Sequence, residues 1–199
     1  MSQPKPPTPA KLITGFFVKD RSLAADIVAQ LQKRLGPLEL ASAWMDFDFT
    51  SYYEKEMGAP LSRRMLVFKP LVEQTELAGI KHLTNEVEDH YRQSGSRRVN
   101  IDPGYLLPER LVLASGKNFS HRIYMDKGIY ADLTLIYRKG AFRVLPWTYP
   151  DYADGRMTDF LMLVRKRYML ELKRGPSSFK GSVEDTCSRA GIADSQFSP

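Results

Sequence analysis

The residues of this chain able to do chemistry fall in a few short stretches. The turn Asp126-Lys127-Gly128 sets a hairpin register that places Tyr124 opposite Tyr130, Arg122 opposite Asp132 and His121 opposite Leu133. Alternation along the strands then gathers Arg122, Tyr124, Tyr130, Asp132 and Thr134 on one face. This set reads in two ways: as a polar floor for an anionic ligand, or as an exposed face carrying one salt bridge, which contributes about 0.2–1 kcal/mol. His121 falls on the other face with Ile123 and Met125, a setting that suits a hydrogen-bonded core histidine. If a reaction is catalysed, His121 is the first general acid–base candidate, with Asp132 or Asp151 as the acid that orients it.

Just upstream, Ser115-Gly116-Lys117-Asn118 could offer backbone N–H groups and an ammonium to a phosphate, or Gly116 could simply turn the chain. It is not a P-loop, because Leu111 stands where that pattern needs Gly and Asn118 where it needs Ser or Thr. No G-x-G-x-x-G occurs either. Arg97, Asn100 and Asp102 end a strand that runs into Pro103-Gly104-Tyr105, a common seat for functional groups or an Asp-capped turn. Trp147-Thr148-Tyr149-Pro150-Asp151-Tyr152 could wall a pocket or cover a sheet edge. His82, Glu86 and His90 share a four-residue spacing but point away from their helix's apolar stripe and have no fourth ligand in view. No metal and no cofactor are expected.

These groups need elements to aim them. Leu12–Val18 reads as a buried strand, and Asp20 and Ser22 offer caps to a helix running to about Arg34. Leu23, Ile27, Leu31 and Leu35 mark its inner face and Gly36-Pro37 its end. Leu38–Met45 and Arg64–Pro70 read as strands joined by the long aromatic connection Asp46–Ser62, whose length and composition suit a functional loop. A helix from about Thr75 to Gln93 carries the inward stripe Leu77, Ile80, Thr84, Val87 and Tyr91, and a strand Arg97–Asp102 follows before a turn at Asp102-Pro103-Gly104. The order so far is β-α-β-β-α-β, the split βαβ of ferredoxin-like domains. Arg110–Ser115, His121–Met125, Ile129–Tyr137 and Phe142–Pro146 form an antiparallel meander that extends the first sheet or packs on it. A last helix, Asp154–Arg174, buries Met157, Phe160, Leu161, Val164, Tyr168 and Leu172. The fold class is α+β, a ferredoxin-like half with a meander and a C-terminal helix.

Composition agrees with one domain. The chain has 199 residues, 43% hydrophobic and 26% charged, and Lys and Arg outnumber Asp and Glu by 29 to 23, a net charge of +6. A chain of this size buries roughly 70% of its unfolded surface. A single cysteine, Cys187, allows neither an intrachain disulfide nor a thiolate zinc site. Residues 1–9 read as a disordered Pro-rich lead, 10–174 as the domain and 175–199 as a mobile tail. Residues 1–11 hold four prolines and no apolar run like the roughly 7–15 residues of a signal, and no window reaches the ~18 of a membrane span, so a cytoplasmic protein without a membrane partner is expected.

Several polar words resemble the bacterial family labelled domain of unknown function 4416. They are Tyr52-Tyr53-x-x-Glu56-Met57-Gly58, Lys81-x-x-Thr84-Asn85-x-x-Glu88, Asn100-Ile101-Asp102-Pro103-Gly104-Tyr105-Leu106, Lys117-x-x-x-His121-Arg122-Ile123-Tyr124, Gly128-Ile129-Tyr130-Ala131-Asp132 and the Trp147–Tyr152 run. The resemblance spans roughly Pro9 to Lys173 and brings no established reaction. Members are sometimes labelled GTP-binding, which the missing phosphate cradle does not support.

The expected function is binding of a small anionic ligand bearing phosphate or carboxylate. Arg122, Lys117 and Arg97 would contact the anion, with Asn100 and Asp102 beside them. Tyr124, Tyr130 and Tyr149 would shape the pocket, and Tyr53, Glu56 and Arg63 would close it from the long connection. One alternative is an RNA- or ribosome-associated module using Arg165-Lys166-Arg167 and Lys173-Arg174 of the last helix, which holds six basic and three acidic residues. Another is a scaffold whose polar groups are dispersed.

Overall fold

The computed structural model describes residues 3–50 and 52–175, so most of the expected tail and the first two residues of the lead lie outside the described residues. Strand β1 (Ala10–Val18) is buried along its whole length because β4 (Leu61–Val72) pairs with one edge and β5 (Val99–Leu107) with the other. Before it, the carbonyls of Thr8 and Pro9 accept hydrogen bonds from Gln74 and Tyr168. Helix α1 (Ala24–Leu35) follows a 3-10 turn capped by Asp20, buries Ile27, Leu31 and Leu35, and stops at Gly36, whose φ of 92° suits glycine.

The expected strand Leu38–Met45 is two strands, β2 (Leu38–Ala41) and β3 (Met45–Phe47), both paired to β4. Ser42 makes the break: its hydroxyl accepts the Met65 N–H at 2.9 Å and donates to the Ala43 carbonyl at 2.7 Å. The long connection that follows holds a one-turn helix, α2 (Glu54–Met57). Helix α3 (Leu77–His90) is entered through a 3-10 turn with a Glu73/Glu76 capping box. Its expected stripe of Leu77, Ile80, Thr84, Val87 and Tyr91 is buried.

The turn expected at Asp102-Pro103-Gly104 is absent, and β5 runs through it to Leu107. Pro103 is accommodated opposite Thr14, and Gly104 lets the next strand come close: a Cβ there would lie 2.4 Å from the Val112 carbonyl oxygen. The meander is β6 (Arg110–Ser115), β7 (Arg122–Asp126), β8 (Ile129–Arg138) and β9 (Ala141–Val144). A short helix, α4 (Pro150–Ala153), leads to α5 (Gly155–Arg174), which Asp154 caps by accepting the Arg156 N–H.

Nine strands among the described residues form one antiparallel sheet in the order β2-β4-β1-β5-β6-β8-β7, with β3 on β4 and β9 on β8. The meander therefore extends the first sheet. Helices α1 and α3 cover the face bearing Leu12, Phe16 and Val18, while α5 packs Met157, Leu161, Val164 and Tyr168 on the face bearing Ile13, Met65 and Leu113. No helix among the described residues is long and apolar enough to cross a membrane.

One irregularity matters for the site. The β5–β6 ladder runs only from Leu107↔Arg110 to Gly104↔Leu113. Beyond it, Val99–Pro103 stay on β1 while Ala114 and Ser115 stay on β8. Pro103, next to the last pair, has no N–H with which to continue a ladder. The sheet forks.

Candidate functional site: a cavity at the fork of the sheet

The registers carry one lateral row from Val67 through Ile13, Gly104, Leu113 and Asp132 to Arg122. Residues directly opposite in antiparallel strands share a face. The neighbouring rows Met65–Gly15–Asp102 and Arg63–Phe17–Asn100 therefore lie on that same face. A cavity of about 730 Å³ occupies the fork, bounded by these rows, by Ser115-Gly116-Lys117, by α3, by the aromatic connection and by Tyr149–Tyr152. That volume suits a small molecule.

The arginines of this cavity act as struts. Arg63 is 3% exposed, pairs with Asp151, donates through Nη2 to the Tyr152 hydroxyl at 2.5 Å and stacks over that ring at 4.4 Å. It can lie there because Gly15 has no side chain; a Cβ would come within 2.7 Å of Nη2. Burial pushes the Tyr152 phenol up to about 12, so it stays neutral. Arg97 grips Glu56 of α2 through Nε (2.9 Å) and Nη2 (2.7 Å), which holds the Glu56 carboxyl below the usual range. Its Nη1 donates to Asn100 Oδ1 at 2.8 Å, leaving the Asn100 amide nitrogen to point elsewhere. Arg122 donates to Asp132 Oδ2 (2.8 Å), the Lys117 carbonyl (2.9 Å) and the Tyr149 hydroxyl (2.7 Å). Each guanidinium thus ties a loop or short helix to the sheet.

Other polar groups are not engaged in this framework. Arg63 Nε and Asn100 Nδ2 are buried donors without an acceptor among the described residues. The Lys117 ammonium is exposed and contacts only Tyr52 among the described residues, at 3.2 Å to the hydroxyl and 4.8 Å to the ring centroid. Asp102 accepts no hydrogen bond among the described residues, and Lys81 Nζ lies 4.0 Å from it. Burial, and then Asp102, push the Tyr53 phenol well above its ordinary value.

The model of the family described as Domain of unknown function (DUF4416) matches residues 8–168 of the chain. The chain belongs to this family. No curated protein and no solved structure matches it. The matched span of this DUF4416 chain includes all the cavity residues.

Among the residues singled out from sequence, Tyr53, Arg63, Arg97, Asn100 and Asp102 line the cavity from the first half of the chain, and Lys117, Arg122, Asp132, Tyr149 and Asp151 from the second. Glu56 stands behind Arg97 and is not in the lining. Tyr124 and Tyr130 pair as expected but lie further along the hairpin, ring on ring at 5.4 Å, outside the cavity. His121 departs from its expected place on the face of Ile123 and Met125. Strand β7 begins only at Arg122, whose N–H closes a turn to the Phe119 carbonyl, so strand alternation does not govern residue 121. Its ring stacks on Trp147 at 4.8 Å with Nε2 3.4 Å from Asp132 Oδ2, beside the cavity rather than lining it. In the set His82, Glu86 and His90, His82 Nε2 meets the Lys127 carbonyl, Glu86 pairs with Arg34 and the His90 ring meets that of Tyr91 edge to face.

Sequence reasoning missed Lys81, Asn85 and Glu88 as site residues. They line the cavity from α3 at i, i+4 and i+7, a polar stripe beside the apolar one. Lys81 donates to the Ile101 carbonyl at 2.7 Å, and Glu88 accepts the Ile101 N–H at 2.8 Å. Burial raises the Glu88 carboxyl, opposed by Lys81 and that amide. The folded chain thus holds this proton more tightly than the unfolded chain does. Its contribution to stability is full below the ordinary carboxylate value of about 4.3 and declines as pH rises through the raised value. Glu88→Gln keeps an acceptor for Ile101 and removes the titration. The stability difference, parent minus variant, should therefore fall as pH rises from about 4.3, read by thermal unfolding across pH.

Proposed function

We propose that this protein binds a small anionic ligand, bearing a phosphate or a carboxylate, in the forked cavity. Two buried donors on residues that line the cavity, Arg63 Nε and Asn100 Nδ2, lack an acceptor among the described residues, and they carry this reading. An unsatisfied buried donor costs about 1–3 kcal/mol, which the oxygens of a ligand would recover, those of its anionic group being favoured at the Arg63 guanidinium. Lys117 adds a cation with no carboxylate partner among the described residues, and Arg122 fixes the backbone beneath it. Arg122 and Arg97 then serve as positioning residues, and Lys117 as the direct contact. A location in the bacterial cytoplasm belongs to the same reading.

The basic final helix supports the RNA alternative less well. Arg165 turns inward, donating to the Pro108 carbonyl at 2.7 Å with its guanidinium 3.4 Å from the Tyr137 ring centroid, and Arg167 lies 3.9 Å from Glu39.

Thermal shift against phosphate, nucleotides, sugar phosphates and short acids tests the reading. A true ligand at 100 times its Kd should stabilise the fold by about 2.7 kcal/mol. Lys117→Ala, at an exposed position, should leave the unliganded protein within about 0.5 kcal/mol of the parent and remove most of that gain. An undiminished shift in this variant would reject Lys117 as the contact, and no shift with any anion would reject the binding site.

A further inference from the structure

With Arg63, Arg97 and Arg122 engaged by Asp151, Glu56 and Asp132, the cavity keeps, besides Asn85 and the Tyr53 hydroxyl, which both donate and accept, polar groups of two kinds. Lys117, Arg63 Nε and Asn100 Nδ2 are donors. Asp102 is an acceptor: its side chain is 30% exposed, and its nearest cation, Lys81, already donates to the Ile101 carbonyl and lies 3.6 Å from Glu88. A carboxylate can only accept hydrogen bonds and repels another anion. A ligand that is nothing but an anion would leave Asp102 unanswered.

Asn100 and Asp102 are two residues apart on the same face of β5, about 7 Å along the strand. Among the described residues the first carries a donor with no acceptor and the second a carboxylate that accepts no hydrogen bond, with Lys81 4.0 Å away. Hydroxyl groups answer both, because each accepts and donates; an ammonium could serve Asp102 but could not accept from Asn100. The rest of the cavity fits the same chemistry. Its volume of about 730 Å³ exceeds what a bare phosphate fills, and Phe47, Tyr52 and Tyr53 offer apolar surface to the C–H groups of a polyol. Resting on the reading that an anion binds here, we infer that the ligand is a phosphorylated polyol of the sugar-phosphate class, with hydroxyls on Asn100 and Asp102 and its phosphate toward Lys117.

Calorimetric titration of the full chain with inorganic phosphate, ribose 5-phosphate and glucose 6-phosphate tests this. At least one sugar phosphate should bind about tenfold or more tightly than inorganic phosphate, the worth of one good hydrogen bond to a charged group. Asp102→Asn should abolish most of that margin while leaving phosphate binding equal or stronger, since one repelling charge is gone. Asp102 is part-exposed and accepts no hydrogen bond among the described residues, so this variant keeps the fold. The inference is overturned if inorganic phosphate binds as tightly as both sugar phosphates, or if the margin survives in Asp102→Asn. Should short acids stabilise the protein while none of these three compounds binds, the anion site stands and the polyol assignment falls. If no anion of any kind binds, both fall together.

Discussion

Replacing Arg63 by Met should destabilise the protein by about 3–5 kcal/mol, the usual result of stranding one partner of a buried ion pair. Roughly 2–4 °C of melting temperature follows each kcal/mol in a domain of this size. The effect is large because the lost group serves several partners at once. Asp151 is left buried without its counter-charge, and the Tyr152 hydroxyl loses its donor. Methionine keeps much of the volume over Gly15, so the loss is chiefly electrostatic. The double variant Arg63→Met/Asp151→Leu removes both charges and should recover much of the stability, since an apolar pair can match a buried ion pair. Neither variant should bind the anion, because both lack Arg63 Nε. Denaturant melts and thermal shift together separate these outcomes. A single variant as stable as the parent would show that the pair holds no element in place.

Gly104→Ala should cost about 1–3 kcal/mol by overpacking. The new methyl would stand 2.4 Å from the Val112 carbonyl oxygen and 3.2 Å from Leu113 Cα, both backbone, so neither can swing aside as a side-chain tip would. The strain would fall on the last rung before the fork, Gly104↔Leu113, and should loosen the cavity as well as the fold. Gly116→Ala is the control, for a Cβ there meets nothing within 4 Å. Its melting point should match the parent to within about 0.5 kcal/mol. Equal melting points for the two variants would show that β5 and β6 can separate at no cost.

The parts of the fold legible in the sequence are those written in local periodicity. The stripe Leu77, Ile80, Thr84, Val87 and Tyr91 repeats at the helical period and is buried as expected. The two-residue alternation around Asp126-Lys127-Gly128 sets the register that joins Arg122 to Asp132 and Tyr124 to Tyr130. The readings that failed were those where a distant segment overrules a local signal. Pro103-Gly104 is turn chemistry in isolation, yet pairing with β1 and close contact with β6 keep it extended. Ser42 breaks a strand because its hydroxyl meets a backbone N–H more than twenty residues away.

What the sequence by itself determined is the family, the α+β class, the order of the main strands and long helices, the inner stripe of α3 and the pairing of Arg122 with Asp132 and of Tyr124 with Tyr130, because these depend on contacts a few residues long. Which arginines serve as struts, which donors lack an acceptor among the described residues, and that α3 contributes Lys81, Asn85 and Glu88 to the cavity were decided only by the tertiary structure. The fork is a place where two ladders diverge, and its contents come from strands, helices and loops as far apart in the chain as Phe17 and Tyr152. No local pattern encodes the distance between such groups; only the packing of the whole sheet does.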